Sequence, residues 1–415
     1  MNKYPKYKLA GVEWIGDIPE HWEVERTKWV FSESKLRNRE LKYVDEDLLS
    51  VSEYYGVAKR REIIDNNDIL NRAESLSENK IVIKGELVIN IMLAWKKGLG
   101  ISDHNGIVSP SYCVFKLLVD KGDPKFFHYL YRTNLYAEVF RQNSRGIIDS
   151  RLRLYPEEFF NIITIVPSPE EQTAIANFLD EKTAQIDKLI TNKQKLIELL
   201  KEERTAIINQ AVTRGIVPNV KLKPSGIEWL GNIPEHWAVK KLKYMAKLKS
   251  GESITSDNIR EADEYAVYGG NGLRGYTSTY THDGDYILIG RQGALCGNIN
   301  YAFGKFFASE HAVVVTRFND EHIFWLGELL RSMNLNQYSI SAAQPGLSVE
   351  RIQNLSIPYP QIDEQELIGK HIETETKRID NTISKIEREI ELLQEYRTAL
   401  ISEVVTGKID VRNTV

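Results

Sequence analysis

The stretch that decides the fold occurs twice, as GVEWIGDIPEHWEVER at residues 11–26 and as GIEWLGNIPEHWAVKK at residues 226–241. Ten of the sixteen positions are identical, including two tryptophans, and the copies lie 215 residues apart (11 to 226). Such a match indicates a duplicated domain. His21 and His236 sit at the same place in both copies, beside Trp22 and Trp237, which favours a structural cap over a catalytic pair.

A second repeat follows each globular stretch. Residues 171–216 align with residues 364–409 at an offset of 193 residues, and the shared text includes Glu-Gln, Ile-Asp and Arg-Thr-Ala. The order is therefore domain, helix, domain, helix. Because the two offsets are 215 and 193, the first globular part is 22 residues longer than the second.

The second repeat carries a heptad pattern, in which apolar residues recur at alternating steps of four and three. Six of eight seam positions are apolar in the first copy and seven of eight in the second. The positions are Ile186, Ile190, Lys193, Ile197, Leu200, Arg204, Ile207 and Ala211, then Ile379, Ile383, Ile386, Ile390, Leu393, Arg397, Leu400 and Val404. The pattern predicts two helices of about 40 residues, on the order of 60 Å long.

A long helix with an apolar seam needs a partner. The two helices can pair with each other, pair in a homodimer, or pack on their own domains. The higher effective concentration favours an antiparallel coiled coil within one chain, with the domains related by a pseudo-twofold axis. Arg204 and Arg397 lie at equivalent seam positions, where each either reaches a carboxylate or extends its charge to solvent.

The globular parts share a strand skeleton. Gly85-Glu86 precedes LVINI as Gly284-Asp285 precedes YILIG, a glycine-containing loop follows, and a serine opens another apolar strand (SPSYCVF, SEHAVVV). We predict two similar α+β (mixed α/β) domains whose strands correspond while their loops differ. The expected division is domain 1 at 1–168, helix 1 at 169–213, domain 2 at 214–361, and helix 2 with a tail at 362–415.

Composition and missing motifs exclude several classes of protein. No signal peptide and no uncharged apolar run of ~18–20 residues is present, so we expect a cytoplasmic protein without membrane spans. Cys113 and Cys296 are expected to be buried reduced thiols, and neither a catalytic nor a metal site is expected. Residues 270–275 match GxGxxG, but the turn-forming text YTSTYTHDGD follows instead of a helix, which favours a glycine-rich turn over a cofactor site. The phosphate-binding loop GxxxxGK[ST], NPPY-like tetrapeptides and HExxH are also absent.

These residues resemble the specificity subunits of Type I restriction–modification systems. The resemblance covers nearly the whole chain, and includes GxEWxGxIPEHW twice, RTALISEVVTGKID at 397–410, YGGNGLRGY at 268–276 and GRQGALCGN at 290–298. It implies two target-recognition domains that each read one half of a bipartite DNA sequence, with the helices as a fixed spacer. It also implies two adenine methyltransferase subunits and restriction (translocase–nuclease) subunits as partners. S-adenosylmethionine, ATP and Mg are then expected on those partners.

The net charge of −4 is unusual for a DNA-binding chain, so basic residues must be gathered locally or supplied by partners. Base reading calls for basic and amide side chains on loops. The candidates are Lys59, Arg60, Arg61, Lys96, Lys97, Tyr112, Asn143, Arg145, Ser150 and Arg151 in the first domain, and Asn271, Arg274, Arg291, Gln292, His311 and Gln344 in the second. Among them His311 is equally compatible with a core position. Unlike loops predict unlike half-sites and an asymmetric target. The alternatives are a self-sufficient DNA methyltransferase or nuclease, and a coiled-coil scaffold that binds only proteins.

Overall fold

The computed structural model describes residues 2–44, 47–62, 76–293, 295–339 and 346–412. The chain forms two compact units, residues 1–192 with 389–415, and residues 193–388. Each unit therefore combines one globular domain with a segment of both long helices, whereas the sequence division gave each helix a segment of its own.

The first unit holds twelve described strands and three helices of its own. Two long helices, α4 (Pro169–Arg214) and α7 (Ile362–Val405), each contribute a segment to both units. The strands are β1 (Tyr7–Leu9), β2 (Asp17–Pro19), β3 (Glu23–Arg26), β4 (Phe31–Glu33), β5 (Leu49–Ser52), β6 (Gly56–Lys59), β7 (Lys80–Val82), β8 (Leu87–Asn90), β9 (Leu99–Ile101), β10 (Gly106–Val108), β11 (Tyr112–Leu117) and β12 (Ile163–Val166). The helices are α1 (Pro124–Tyr131), α2 (Asn134–Gln142), α3 (Pro156–Asn161) and the long α4 (Pro169–Arg214).

The second unit holds another twelve described strands and two short helices. The strands are β13 (Leu222–Pro224), β14 (Asn232–Pro234), β15 (Ala238–Lys241), β16 (Ala246–Ser250), β17 (Tyr265–Gly269), β18 (Gly272–Thr277), β19 (His282–Asp283), β20 (Tyr286–Gly290), β21 (Ile299–Ala302), β22 (Lys305–Ala308), β23 (Ala312–Arg317) and β24 (Ser356–Tyr359). The helices are α5 (Ile323–Ser332), α6 (Val349–Gln353) and the long α7 (Ile362–Val405).

The two domains have the same central sheet, and the predicted α+β class is confirmed. Four antiparallel strands lie in the order β4-β11-β8-β9 in the first domain and β16-β23-β20-β21 in the second. The predicted strand skeleton is confirmed too, because LVINI and YILIG form β8 and β20, and the serine-led runs form β11 and β23. The domains differ around this sheet. The first adds the pairs β5-β6 and β7-β10, and the second adds a four-stranded sheet, β18-β17-β22-β19.

The repeated tryptophans anchor each domain to the end of a long helix. Trp22 and Trp237 are both fully buried. A methyl group placed on Gly407, which follows α7, would lie 3.1 Å from Trp22 Cη2, and one on Gly215, which follows α4, would lie 3.3 Å from Trp237 Cζ2. Both glycines have a positive φ, of 74° and 76°, so each ends its helix in the left-handed conformation.

The repeated histidines bind the repeated glutamates at the helix starts. His21 Nε2 lies 2.8 Å from Glu171 Oε2 in the first unit, and His236 Nε2 lies 2.9 Å from Glu364 Oε2 in the second. In the first unit, Tyr4 also donates a 2.6 Å hydrogen bond to Glu171 Oε1. In each unit, the histidine of the first sequence repeat therefore contacts the glutamate of the second repeat, as expected for a structural cap.

The heptad seam predicted from sequence is confirmed. All sixteen seam positions are buried or half-buried, while the side chains between them are mostly exposed. Arg397 Nε lies 3.0 Å from Asp187 Oδ1 in the first unit, and Arg204 Nε lies 3.2 Å from Asp380 Oδ1 in the second. Each seam arginine thus reaches a carboxylate, and each ion pair is the repeat equivalent of the other.

The helices run antiparallel within each unit. In the first unit, the cap around Trp22 joins the start of α4 to the residue after α7, while Asp187, further along α4, binds Arg397, further back along α7. In the second unit, a methyl group on Gly215 would lie 3.5 Å from Glu364 Oε1 at the start of α7, while Arg204 binds Asp380. As residue numbers rise along one helix, the partner numbers fall along the other.

Candidate nucleic-acid interface

The first domain presents an aromatic and basic surface around Trp95. This half-buried residue lies in a 3₁₀ turn, Ala94–Lys96, between β8 and β9, and its Nε1 donates a 3.1 Å hydrogen bond to the Met92 carbonyl. Lys96 Nζ lies 5.0 Å from the centre of the Trp95 ring, and Arg141 Cζ lies 5.7 Å from it. An aromatic ring held beside two cations suits contact with a base or a sugar-phosphate backbone.

Arg132 holds two loops of this surface together. Its Nη1 donates to the carbonyl oxygens of Lys97 and Leu99, both at 2.7 Å, and its Nη2 donates to those of Glu53 at 3.0 Å and Tyr54 at 3.1 Å. Burial lowers the pKa of Arg132 to about 10. The guanidinium thus joins the β5–β6 turn to the Trp95 loop, and backbone carbonyls take the place of a carboxylate.

Lys97 and His128 lie beside this guanidinium. Burial, and then the charge of Arg132, lower the pKa of the Lys97 ammonium. Burial also lowers the pKa of His128 to about 4, so the ring is neutral near pH 7, and its Nδ1 accepts a 3.2 Å hydrogen bond from the Ile101 N–H. Lys97 is therefore less well solvated than Lys96, which is exposed.

Arg141 connects the Trp95 surface to a second loop. Its Nη2 lies 3.1 Å from Asp149 Oδ1, in the 3₁₀ turn Asp149–Arg151. Ser150 and Arg151 are exposed in this turn. The structure therefore brings four candidates from two distant stretches, Lys96, Lys97, Ser150 and Arg151, into neighbouring loops.

Two other candidates in this loop already have partners. Arg145 forms ion pairs with Glu158 and, at 3.6 Å, with Glu157. The Asn143 amide donates a 2.8 Å hydrogen bond to the Val139 carbonyl at the end of α2. Both side chains thus contribute to the shape of the loop and would need to exchange a partner to contact a base.

The remaining candidates of the first domain lie around β6. Lys59 ends β6 with its Nζ 4.0 Å from Glu62 Oε1, and Arg60 and Arg61 are exposed in the following 3₁₀ turn. Burial raises the pKa of Tyr112, at the start of β11, and the charge of Arg60 opposes that rise. Tyr112 and Val57 of β6 pack against the same apolar cluster, so Tyr112 lies near this basic run although the two are far apart in sequence.

Four candidates of the second domain form one cluster. The Arg291 N–H donates to the His311 carbonyl at 2.9 Å, and His311 Nδ1 lies 3.1 Å from Gln292 Oε1. Asn271 lies beside them in the β17–β18 turn, which packs on the end of β20. The contact is so close that a methyl group added to Gly290 would lie 2.1 Å from the Gly270 carbonyl oxygen. The His311 side chain is 41% exposed, so it is a surface residue, not part of the core.

The glycine-rich run 270–275 forms the β17–β18 hairpin, as the sequence predicted. Arg274 is exposed on β18 and lies over Gly269, where a Cβ atom would come within 2.4 Å of Arg274 Cδ. Gln344 lies outside the described residues. The sequence did not point to Trp95, Arg132 or Arg141 as site residues. Trp95 could have been found, because it is an aromatic residue directly before the Lys96-Lys97 pair. The two arginines could not, because their roles depend on contacts with residues that are distant in sequence.

Within the described ranges, no group of three or more histidine, cysteine, aspartate or glutamate side chains is arranged to hold a metal ion. None of the helices described is both long and apolar enough to cross a membrane. Cys113 and Cys296 are buried free thiols, as expected.

Comparisons with known proteins point to one family. Residues 234–392 match the family model of the Type I restriction modification DNA specificity domain. The EcoprrI specificity subunit of Escherichia coli is 42% identical over 153 residues, which are 36% of this chain and 38% of that relative. The match therefore spans well under half of the E. coli protein. The MjaVIII specificity subunit of Methanocaldococcus jannaschii is 25% identical over 431 residues, covering 95% of each chain.

Solved structures share the fold across nearly the whole chain. A chain from a study of complex assembly and conformational transition of the type I R-M system aligns with a TM-score of 0.71 at 14% identity, covering 94% of this chain and 99% of that one. The HsdS subunit of Thermoanaerobacter tengcongensis aligns with a TM-score of 0.61 at 15% identity, covering 99% and 100%. At such low sequence identity, these two alignments show similarity of fold only.

Proposed function

We propose that this chain, which belongs to the family of Type I restriction–modification specificity subunits, recognises a bipartite, asymmetric duplex DNA target. In this proposal each domain reads one half-site, and the chain directs partner adenine methyltransferase and restriction subunits to the site. The chain itself is the non-catalytic component. The proposal places it in the cytoplasm, where it meets cellular DNA.

The observation that carries the proposal is one scaffold with two different surfaces. The sheets β4-β11-β8-β9 and β16-β23-β20-β21 have the same order and direction. The loops at the candidate surfaces differ. The surface of the first domain carries Trp95 and Lys96, and that of the second domain carries Gln292 and His311. Since bases are read by side chains in the grooves, equal frames with unlike side chains support two unlike half-sites.

The long helices support a spacer role. α4 has 46 residues and α7 has 44, which at 1.5 Å per residue is on the order of 65–70 Å each. Paired helices hold a distance better than a flexible linker does. We infer that their length sets the gap between the two half-sites.

The helix surface supports docking of two copies of one partner. Leu199 and Leu392 occupy equivalent positions of the repeat and are 50% and 47% exposed. Exposed leucines repeated on both helices suit two identical methyltransferase subunits. Native mass spectrometry should show two bound methyltransferase subunits for wild type, one for L199D or L392D alone, and none for L199D/L392D. Retention of two subunits by the double variant would rule out this docking site.

In this proposal, S-adenosylmethionine, ATP and Mg²⁺ bind the partner subunits. Isothermal titration of the isolated chain with S-adenosylmethionine should then give no heat of binding. Saturable binding would instead favour a self-sufficient methyltransferase.

The methylome of cells that express this chain with its methyltransferase subunit tests the function directly. We expect methyladenine within a gapped, asymmetric motif that is absent without the chain. Exchange of the first domain alone should change one half of the motif and leave the other half intact. A change in both halves would contradict the assignment of one domain to one half-site.

Helix length tests the spacer. Insertion of one heptad into α4 after residue 192 and one into α7 after residue 388, where the compact units divide, adds ~10 Å. Since base pairs rise by ~3.4 Å, the gap of the motif should widen by about 3 bp. A seven-residue insertion in one helix only is the control, because it breaks the pairing register and should abolish methylation. An unchanged gap after the double insertion would refute the spacer role.

A further inference from the structure

One stretch of the second domain differs sharply in charge from its repeat equivalent. Residues 238–250, AVKKLKYMAKLKS, contain five lysines and no acidic residue. The equivalent residues 23–35, EVERTKWVFSESK, contain three acidic and three basic residues. The same structural element is therefore strongly positive in one domain and neutral in the other, within a chain whose net charge is −4.

The fold places these lysines on an outer surface. They lie on β15, on the 3₁₀ turn Leu242–Tyr244 and on β16, which is an edge strand of its sheet. Along β16, Ala246 and Leu248 are buried, whereas Lys247 and Lys249 are exposed on the opposite face. Two residues of a strand span about 6.6 Å, close to the rise of two base pairs at ~3.4 Å each.

The positive charge of this surface is not neutralised by carboxylates. Within the described part of the chain, none of the five lysines forms an ion pair. Instead, Lys240 Nζ lies 3.5 Å from the centre of the Tyr359 ring, and Lys243 Nζ lies 5.4 Å from that of Tyr244. Ring contacts leave the charge in place. Clustered, unneutralised cations repel one another, so this surface is suited to a polyanion.

The equivalent element of the first domain carries its own carboxylates, and two of them pair with lysines from outside the element. Glu25 lies 2.6 Å from Lys121, and Glu33 lies 3.9 Å from Lys80. Residues at the positions of Lys247 and Lys249 are Ser32 and Ser34. The fold as such therefore does not require the lysines of the second domain, which points to a role in binding.

The lysine-bearing strand leads directly into the candidate reading cluster. After β16, the Gly251 N–H donates to the Ala312 carbonyl and the Glu252 N–H donates to the Ala308 carbonyl, both at 2.9 Å. These contacts bring the end of the strand beside Ser309 and His311. The end of the strand that follows Lys249 thus lies near the cluster of His311 and Gln292.

We propose that Lys240, Lys241, Lys243, Lys247 and Lys249, here called the lysine strip, hold the phosphates of duplex DNA beside the second half-site. This inference rests on the proposed function, and it deepens it. Binding energy that does not depend on sequence is then concentrated on the second domain, and the first domain has no equivalent of Lys247 and Lys249.

Salt dependence of binding tests the lysine strip. The variant K243Q/K247Q/K249Q is compared with wild type in the assembled complex with the methyltransferase subunit, using fluorescence anisotropy with a labelled target duplex and a scrambled duplex. Each phosphate contact contributes ~0.9 to the slope of log K against log salt concentration, so the slope should decrease in magnitude by about 2.7 on both duplexes. The same electrostatic contribution puts the loss of affinity at ~0.1 M salt at roughly 500-fold on both duplexes.

Two matched variants serve as controls. K243R/K247R/K249R keeps the charge and should keep the slope. K188Q/K195Q/K201Q removes three exposed lysines of α4 and should leave it unchanged. An unchanged slope in the strip variant would overturn the proposal. It would also be overturned if the variant kept DNA binding but no longer assembled with the methyltransferase subunit, because the lysine strip would then bind an acidic protein surface instead of DNA. If wild type does not distinguish target from scrambled DNA, the proposed function fails, while the slope still reports on the strip.

Discussion

The two domains build the same sheet but place charge and shape differently around it. In the first, Arg132 at the end of α1 binds four loop carbonyls at 2.7–3.1 Å and so fixes the Trp95 surface. In the second, Arg331 near the end of α5 binds Glu328 at 3.0 Å, and the positive charge lies on the lysine strip. The difference teaches that a duplicated frame leaves surface loops and edge strands free to diverge, because the core packing does not depend on them.

The largest combined effect, on both stability and half-site recognition, is expected from removing the Arg132 guanidinium. R132M removes a donor from the carbonyls of Lys97, Leu99, Glu53 and Tyr54, of which the Lys97 carbonyl keeps the Leu99 N–H, and we expect a loss of about 3 kcal/mol in unfolding free energy. Recognition of the first half-site should weaken by more than tenfold while the second is retained. Urea unfolding and anisotropy with half-site mutants of the duplex measure both quantities.

R331M is the matched control for this variant. The Arg331 side chain is 46% exposed, but its partner Glu328 is buried and keeps, among the described residues, only the 2.9 Å hydrogen bond from the Tyr301 hydroxyl, so R331M should cost about 1–3 kcal/mol in unfolding free energy and leave recognition of the first half-site intact. Equal effects of R132M and R331M on that recognition would mean that the two arginines do not differ in role.

The next effect compares the glycines that end the long helices. In G407A the new methyl group would lie 2.3 Å from Pro19 Cδ, whereas in G215A its nearest neighbour would be Trp237 Cζ2 at 3.3 Å. Both variants place alanine at a positive φ, which costs about 1–2 kcal/mol. Overpacking adds about 1–3 kcal/mol in G407A alone. Thermal unfolding should therefore show a lower Tm for G407A than for G215A, with both below wild type, and the reverse order of the two variants would contradict the geometry.

A smaller effect is expected when the charge of the second domain is copied into the first. S32K/S34K places lysines at the positions of Lys247 and Lys249. If both domains meet DNA with the same edge strand, the slope of log K against log salt should increase in magnitude by about 1.8. S32Q/S34Q controls for side-chain size. If S32K/S34K has the same slope as wild type, only the second domain contacts DNA with this edge strand.

The smallest effects concern the helix seam. R204A and R397A each remove one ion pair to a carboxylate that is more than half exposed, and each should cost no more than about 1 kcal/mol. Because the two pairs are repeat equivalents, the two losses should agree within a few tenths of a kcal/mol in urea unfolding. A much larger loss for one variant would show that the two ends of the seam are not equivalent.

Much of the frame could be predicted from the sequence because it is periodic or repeated. The heptad positions that bury Ile379 and Leu400, and the strands LVINI and YILIG, follow from spacing alone. The candidate surface was harder to predict. Asn143 and Arg145 have the residue types that read bases, yet one binds a backbone carbonyl and the other a carboxylate. Such competition between partners depends on loop geometry, which spacing does not encode.

The sequence by itself determined the duplication, the helix–domain order, the apolar seam and the family resemblance, since each depends on local pattern. Only the tertiary structure decided what the repeated residues do. It joined His21 to Glu171 and His236 to Glu364, paired each seam arginine with an aspartate of the opposite helix, and gathered Asn271, Gln292 and His311. Among the described residues, it also left the five lysines of the strip without an ion pair. These outcomes depend on contacts between residues far apart in the chain, and such contacts are fixed by packing.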